Sequence, residues 1–292
     1  MVNEIVADGQ VRRREIGTSD LGAVADLLAR GFPGRRREYW SRGLRRMTER
    51  SPLPTGYPRY GYMLDTASGP VGVVLLLFHD GVAHGEPGLR CNLSSWYVEP
   101  PYRMHAPLLV ASALRRRDVT YTNITPAPHT WATIEAQGFT AYATGQILVA
   151  PALSPVREPA RVLDYATGSG RDIPEAELLA DHAGYGCSSL VVEASSGTYP
   201  FVFLPLRVRA GRLPTAVVQL IFCRDIADLS RFAGVLGRAL LRRGIVGMLL
   251  DADVPLGGMM PVRRLGGRKY YRGPQRPRLG DLSYTERAIL GA

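Results

Sequence analysis

The stretch Pro151 to Gly170, PALSPVREPARVLDYATGSG, is the one long run of this 292-residue chain rich in proline, glycine and serine, and the residues on each side of it have strands of their own. The pattern places a domain boundary there, with a first block at 1–152, a linker at 153–170 and a second block at 171–292. At about 100–200 residues per domain, a chain of this length accommodates two ordinary domains. Both blocks repeat one order of elements, strand, strand, strand, helix, strand, which points to a duplicated fold without detectable sequence identity.

In the first block, Ser19 to Arg30 begins with a Ser/Asp cap signal and sets Leu21, Val24, Leu27 and Leu28 on one helical face. Arg35 to Arg50 carries Tyr39, Trp40, Leu44 and Met47 at helical spacing, so its arginines form the solvated side. Tyr60 to Leu64 and the unbroken apolar run Val71 to Phe78 read as successive strands, the second suited to a covered sheet. Residues 90–99 alternate as a further strand, followed by the loop PPYRMHAP and the apolar helix LLVASALRRR. A β-branched strand at 118–124, a short helix from Pro128 to Gln137 with Gly138 as its C-cap, and a strand from Tyr142 to Val149 complete the block.

The second block reads as a helix from Pro174 to His182, strands at Ser189–Glu193, Phe201–Val208 and Ala216–Cys223, a helix from Ile226 to Arg243 and a strand from Ile245 to Asp251. The segment with Gly257, Gly258, Gly266 and Gly267 around Arg263, Arg264 and Lys269 reads as a loop and strand edge. Together these elements predict an α/β fold: a mixed, largely antiparallel central sheet flanked by helices.

The chain carries 36 Lys+Arg against 26 Asp+Glu, a formal charge of +10, and Lys269 is its single lysine. That balance favours an anionic partner such as a phosphorylated cofactor, a nucleic acid or a membrane surface. The runs Arg12–Arg14, Arg35–Arg37, Arg115–Arg117 and Arg263–Arg264 read as solvated faces, the third as a favourable charge at a helix C-terminus. A nucleic-acid interface needs such runs to converge, with aromatic rings for stacking. Cys91, Cys187 and Cys223 are odd in number and far apart, which gives neither a disulfide framework nor a metal-binding spacing and points to a reducing compartment. The first residues lack a signal-peptide pattern, and no segment approaches about 18 uninterrupted apolar residues, so the expectation is a cytoplasmic protein without a membrane span.

Strand, basic loop and helix start follow one another between Arg90 and Leu109, an arrangement in which backbone N–H groups and an adjacent arginine favour phosphate. The strand ends Val98-Glu99-Pro100-Pro101-Tyr102-Arg103, the loop is Arg103-Met104-His105-Ala106-Pro107-Leu108, and the helix opens on Leu108-Leu109. A strand around Tyr121 and the pair Gly138-Phe139 come next. This ordered set resembles the GCN5-related N-acetyltransferase superfamily, the acyl-CoA-dependent acyltransferases, whose pattern is V-x-P-x-x-R, a loop R-x-x-G-x-G/A, a leucine-led helix, a strand and a short helix ending in G-F.

The resemblance implies two acyltransferase-like domains in tandem, the first with an acyl-CoA site and the second, which lacks these motifs, without one. It implies that Arg103, Met104, His105, Ala106, Pro107 and Leu108 hold the pyrophosphate of acetyl-CoA or another acyl-CoA. Trp96, Tyr97 and Val98 then border the pantetheine and thioester. The sequence departs from the pattern where Ala106 and Leu108 replace glycines, where Pro107 lacks an N–H, and where Ile134 stands at the position of a tyrosine general acid.

The implied reaction is direct attack of an amine or hydroxyl on a bound thioester, which needs a base near the acceptor and no covalent nucleophile. His129, between the second motif strand and the short helix, and Ser95, on the central strand, are the candidate catalytic residues. Cys91, Ser94, Asn123 and Thr125 add polar groups to the same two strands. The acceptor, whether a small molecule, a protein or a saccharide, is not set by these residues, and a homodimer is compatible with them. The competing readings are a non-catalytic acyltransferase-like module that binds a ligand or protein, and a basic nucleic-acid-binding protein.

Overall fold

Strand β3 (Gly69–Asp80) shows how the sequence builds the core: Val73, Leu75 and Leu77 enter one apolar cluster while Val74, Leu76 and Phe78 enter another on the opposite side. A strand apolar on both faces must lie inside a sheet covered twice. In the computed structural model, which describes residues 11–51, 53, 55–80, 88–165, 173–210, 213–252 and 256–291, that sheet has twelve strands.

Six strands come from the first part of the chain: β1 (Arg12–Glu15), β2 (Gly61–Thr66), β3, β4 (Leu89–Val98), β5 (Thr120–Asn123) and β6 (Thr140–Val149). Six come from the second: β7 (Ala160–Asp164), β8 (Ser188–Ala194), β9 (Gly197–Ala210), β10 (Leu213–Cys223), β11 (Gly247–Asp251) and β12 (Pro261–Arg272). Their order is β1-β2-β3-β4-β5-β12-β6-β11-β10-β9-β8-β7. Read inward from either edge, the two sets follow the same sequence, except that each gives its sixth strand to the other. Thus β12 lies between β5 and β6, and β6 lies between β12 and β11, with long antiparallel pairing between the exchanged strands. Parallel pairing occurs at corresponding places, β4 with β5 and β10 with β11.

Helices α1 (Leu21–Gly31), α2 (Arg37–Glu49) and α5 (Ala176–Gly184) cover one face of this sheet, and their apolar stripes join a single cluster that spans both strand sets. Val24, Leu27 and Leu28 of α1 and Trp40, Leu44 and Met47 of α2 are the buried positions, each worth about 1.5–3 kcal/mol for full burial of a large side chain. The other face carries α3 (Ala106–Ala113) and α4 (Trp131–Ala136) over the first set and α6 (Ile226–Leu241) over the second. The carboxylate of Asp225 accepts from the N–H of Ala227 and caps α6. A last helix, α7 (Glu286–Ile289), returns to the first face beside α2, where Gly43 leaves room for it: a Cβ there would lie 2.4 Å from Leu290 Cδ2.

Several expectations need correcting. β7 runs through the segment read as a linker; its apolar residues Val162 and Leu163 are too few for a period to stand out against the surrounding Pro, Gly and Ser. β1 consists of three arginines and a glutamate, which read as a solvated run and serve to guard a sheet edge. There Arg14 binds both Asp20, at 2.7 Å, and Asp65, at 2.8 Å. The glycine-rich segment after 257 contains a central strand, β12, rather than an edge. Arg115–Arg117 follow the end of α3 instead of extending it, and Arg116 stacks over Tyr57 and donates to Gly56 O. Among the described residues, no helix is long and apolar enough to cross a membrane.

Candidate active site

The pairing of β4 with β5 stops after three residue pairs, Arg90–Thr120, Cys91–Tyr121 and Asn92–Thr122. On its other side β4 stays paired with β3, but through a bulge in which Ser95 and Trp96 stand opposite Val74, with Ser95 at φ 52°. A bulge bends and twists its strand, so β4 swings away from β5 beyond Asn92. A non-glycine residue in the left-handed region costs about 1–3 kcal/mol and marks a position that the surroundings impose.

The gap opens into a cavity of about 570 Å³. On the face of α1 and α2 its wall is aromatic: Phe32 and Trp40 are 5.4 Å apart between ring centres, and Phe32 and Tyr97 6.1 Å. Gly31 ends α1 against the Tyr97 ring, where a Cβ would come within 2.4 Å of Cγ. On the opposite face Val110 and Ala113 of α3, Ile134 of α4 and Phe139 line it, with Arg103 of the turn between β4 and α3.

The floor of the gap holds a carboxylate that the sequence did not single out. Glu286 of α7 accepts hydrogen bonds from the Ser94 and Thr125 hydroxyls, one on each of its oxygens. Its backbone N–H donates to Asn92 Oδ1 at 2.8 Å, and the Asn92 amide donates in turn to Thr122 O at 3.2 Å. Ser94 and Ser95 are joined Oγ to Oγ at 2.9 Å, so Ser95, Ser94, Glu286 and Thr125 form one chain across the two parting strands.

The tail that delivers Glu286 is held by buried polar contacts. Asp281 pairs with Arg90 at 2.8 Å and Arg278 at 3.4 Å and accepts from the Ser283 hydroxyl at 2.6 Å. Burial alone would raise the Asp281 carboxyl, but the Arg278 and Arg90 guanidiniums and Ser283 outweigh it and hold it well below the usual carboxylate range. His182 accepts the Tyr284 N–H at Nε2 and donates from Nδ1 to Leu178 O, a pattern that fixes the neutral ring, and the Tyr284 hydroxyl donates to Asp181. Further on, Arg46 donates to Ile289 O and the Tyr39 hydroxyl to Gly291 O. Burial raises the Tyr39 phenol, keeping it a donor.

Of the residues assigned to the cofactor, Trp96, Tyr97 and Arg103 line the cavity. Val98 does not; it is buried in the cluster on the α3 side of the sheet. Met104, His105, Ala106, Pro107 and Leu108 lie outside the cavity wall, with Met104 80% exposed. The expected loop is instead a 3-10 turn, Pro100–His105, running straight into α3, because paired prolines favour a helical start and no glycine holds the segment open. The Ala106 N–H is taken by Arg103 O and the Tyr102 N–H by Glu99 O. His129 stands exposed at the rim of the cavity, and Ser95 lies within it. All three cysteines are buried; burial raises their thiols, that of Cys187 to about 12, so none is a ready nucleophile.

Where β10 leaves β11, the corresponding gap in the second strand set is bridged by the chain itself. Cys223 N–H donates to Gly280 O at 2.9 Å and Leu282 N–H to Ile221 O at 2.7 Å.

No family model matches the sequence, and no curated protein matches it significantly. Solved structures do. A GCN5-related N-acetyltransferase from Anabaena variabilis superposes with a TM-score of 0.57 at 11% identity, over 90% of this chain and 72% of that one. One from Kribbella flavida gives 0.56 at 14%, over 90% and 71%, and a Pyrococcus horikoshii protein assigned as an acetyltransferase gives 0.57 at 12%, over 97% and 96%. The chain has the GCN5-related N-acetyltransferase fold. Ile134, expected from the resemblance to stand where a tyrosine acid would, is buried in the cavity wall and carries no hydroxyl. The arrangement offers a carboxylate hydrogen-bonded on both oxygens, a serine pair leading to it, an aromatic wall and an arginine in the lining.

Proposed function

We propose that the chain is an acyl-CoA-dependent acyltransferase that passes an acetyl or other acyl group to an amine or hydroxyl by direct attack on the thioester. The observation that carries this reading is the Glu286 carboxylate held at the parting of β4 and β5, in a cavity lined by residues from both faces of the sheet. Acyl-CoA lies on the α3 side with Arg103 toward its phosphates, and the acceptor lies on the side of α1 and α2. The acceptor nitrogen or oxygen bonds to the acyl carbon, the C–S bond breaks, and the thiolate leaves. The acceptor's proton passes to Glu286, directly or through Ser94 and Ser95. A thiolate departs without a strong acid, so Ile134 is compatible with the chemistry.

Each chain has one such site in this reading, because Gly280–Leu282 fills the second gap. Arg103→Ala is expected to weaken acetyl-CoA binding at least tenfold in calorimetry, since a guanidinium facing phosphate forms charge-assisted bonds; unchanged affinity removes Arg103 from the site. The test of the reading as a whole is release of the CoA thiol from acetyl-CoA in the presence of amine or hydroxyl acceptors.

The occupied N–H groups of the Pro100–His105 turn and the missing tyrosine favour a second reading, a non-catalytic module that binds its ligand in the same cavity. Saturable acetyl-CoA binding with no thiol release for any acceptor would select it.

A further inference from the structure

Arg287 adjoins Glu286 in α7 and lines the same cavity, yet it makes no hydrogen bond or ion pair among the described residues, and its Nε is buried without a partner. Other guanidiniums in the chain, such as those of Arg14, Arg90 and Arg224, meet carboxylates. An unpaired, half-buried guanidinium is costly, and its planar fork matches a carboxylate with two parallel hydrogen bonds. A second unsatisfied donor belongs to the same wall: Trp40 Nε1 is buried with no partner. Both orphans are N–H donors, so the group that completes them is an acceptor. Arg35, stacked 4.6 Å over the Tyr39 ring, adds another positive charge on this side. Against them stands Glu286, the one acidic side chain among the described residues lining the cavity. Its two hydroxyl contacts leave lone pairs for the N–H groups of an ammonium.

We infer that the acceptor is a small amine that itself carries a carboxylate, with its nitrogen at Glu286 and its carboxylate at Arg287 and Trp40. This rests on the acyltransferase reading and names its acceptor class. The phosphates of acyl-CoA do not account for Arg287, whose charge acts on Tyr39 of α2, whereas Arg103 lies in the Pro100–His105 turn that runs into α3. Glu286 and Arg287 are consecutive in α7 and line the same cavity, so the nitrogen and the carboxylate of the acceptor are held close together, as in an α-amino acid.

The test uses the full chain and a panel of the twenty α-amino acids, β-alanine, their carboxamides, their decarboxylated amines and matching aminophosphonates. Thermal shift is recorded with and without coenzyme A, and thiol release is followed with acetyl-CoA. At least one carboxylated amine should raise the unfolding midpoint and support turnover, while its carboxamide and decarboxylated counterpart do neither. Arg287→Gln should raise the KM for that acceptor at least tenfold and leave the KM for acetyl-CoA within twofold, and Arg287→Lys should recover part of the loss.

Equal use of the uncharged counterparts, preference for aminophosphonates, an unchanged KM in Arg287→Gln, or no stabilisation by any carboxylated amine would each overturn the inference. Failure of the acyltransferase reading shows separately, as absence of coenzyme A binding or of thiol release, while stabilisation by carboxylated amines alone still decides the acceptor site.

Discussion

Glu286→Gln is expected to lower kcat by a factor of about 10²–10⁴, the usual contribution of a positioned base, with acetyl-CoA affinity and thermal stability close to those of the parent chain. Glutamine keeps the size of the side chain, and its carbonyl still accepts from one of the two hydroxyls of Ser94 and Thr125, while its NH2 donates to the other, which reorients. What is lost is the ability to take a proton. The backbone N–H that anchors residue 286 to Asn92 is unchanged, so α7 keeps its place. Steady-state kinetics beside calorimetry separates the outcomes. A parent-like kcat would take Glu286 out of the chemistry and return attention to His129, which stands exposed at the rim.

Asp281→Asn is expected to cost about 3–5 kcal/mol of stability, because removing one partner of a buried pair leaves the other charge uncompensated. Here that charge is Arg90, whose side chain is 7% exposed and lies 2.8 Å from Asp281. Equilibrium denaturation measures the loss, and a change below about 1 kcal/mol, the worth of an exposed pair, would show that the pair is not the anchor of the tail.

The same carboxylate sets an acid limit. Its folded-state value is depressed, so its stabilisation is fully present above the unfolded aspartate value of about 3.9 and is lost as pH falls through the lower folded value. Stability is therefore expected to decline below about pH 4 in the parent and to decline less steeply in Asp281→Asn. The two substitutions also divide the functions of the tail: Glu286→Gln removes activity without stability, and Asp281→Asn removes stability together with the placement of Glu286.

Much of the first half of the site was legible because it is local. The alternation of residues 90–98 gave a strand, the apolar stripes gave α1 and α2, and the order from Val98 to Phe139 gave the fold. Ser95, Trp96, Tyr97 and Arg103 all reached the cavity. Glu286 did not announce itself, since it sits in a four-residue helix and meets Ser94 across 192 positions of sequence. The exchange of β6 and β12 was equally hidden, because strand order depends on register with distant partners, which no local period encodes. Proline acts in both directions here. At Pro100 and Pro101 it built a helical turn where a loop was expected, and the Pro-rich stretch after 151 concealed the strand β7.

Calorimetric titration of the purified chain with acetyl-CoA tests the central claim most directly. The account predicts saturable binding with a stoichiometry of one per chain, at the parting of β4 and β5. Absence of binding, or two equivalent sites per chain, would contradict it.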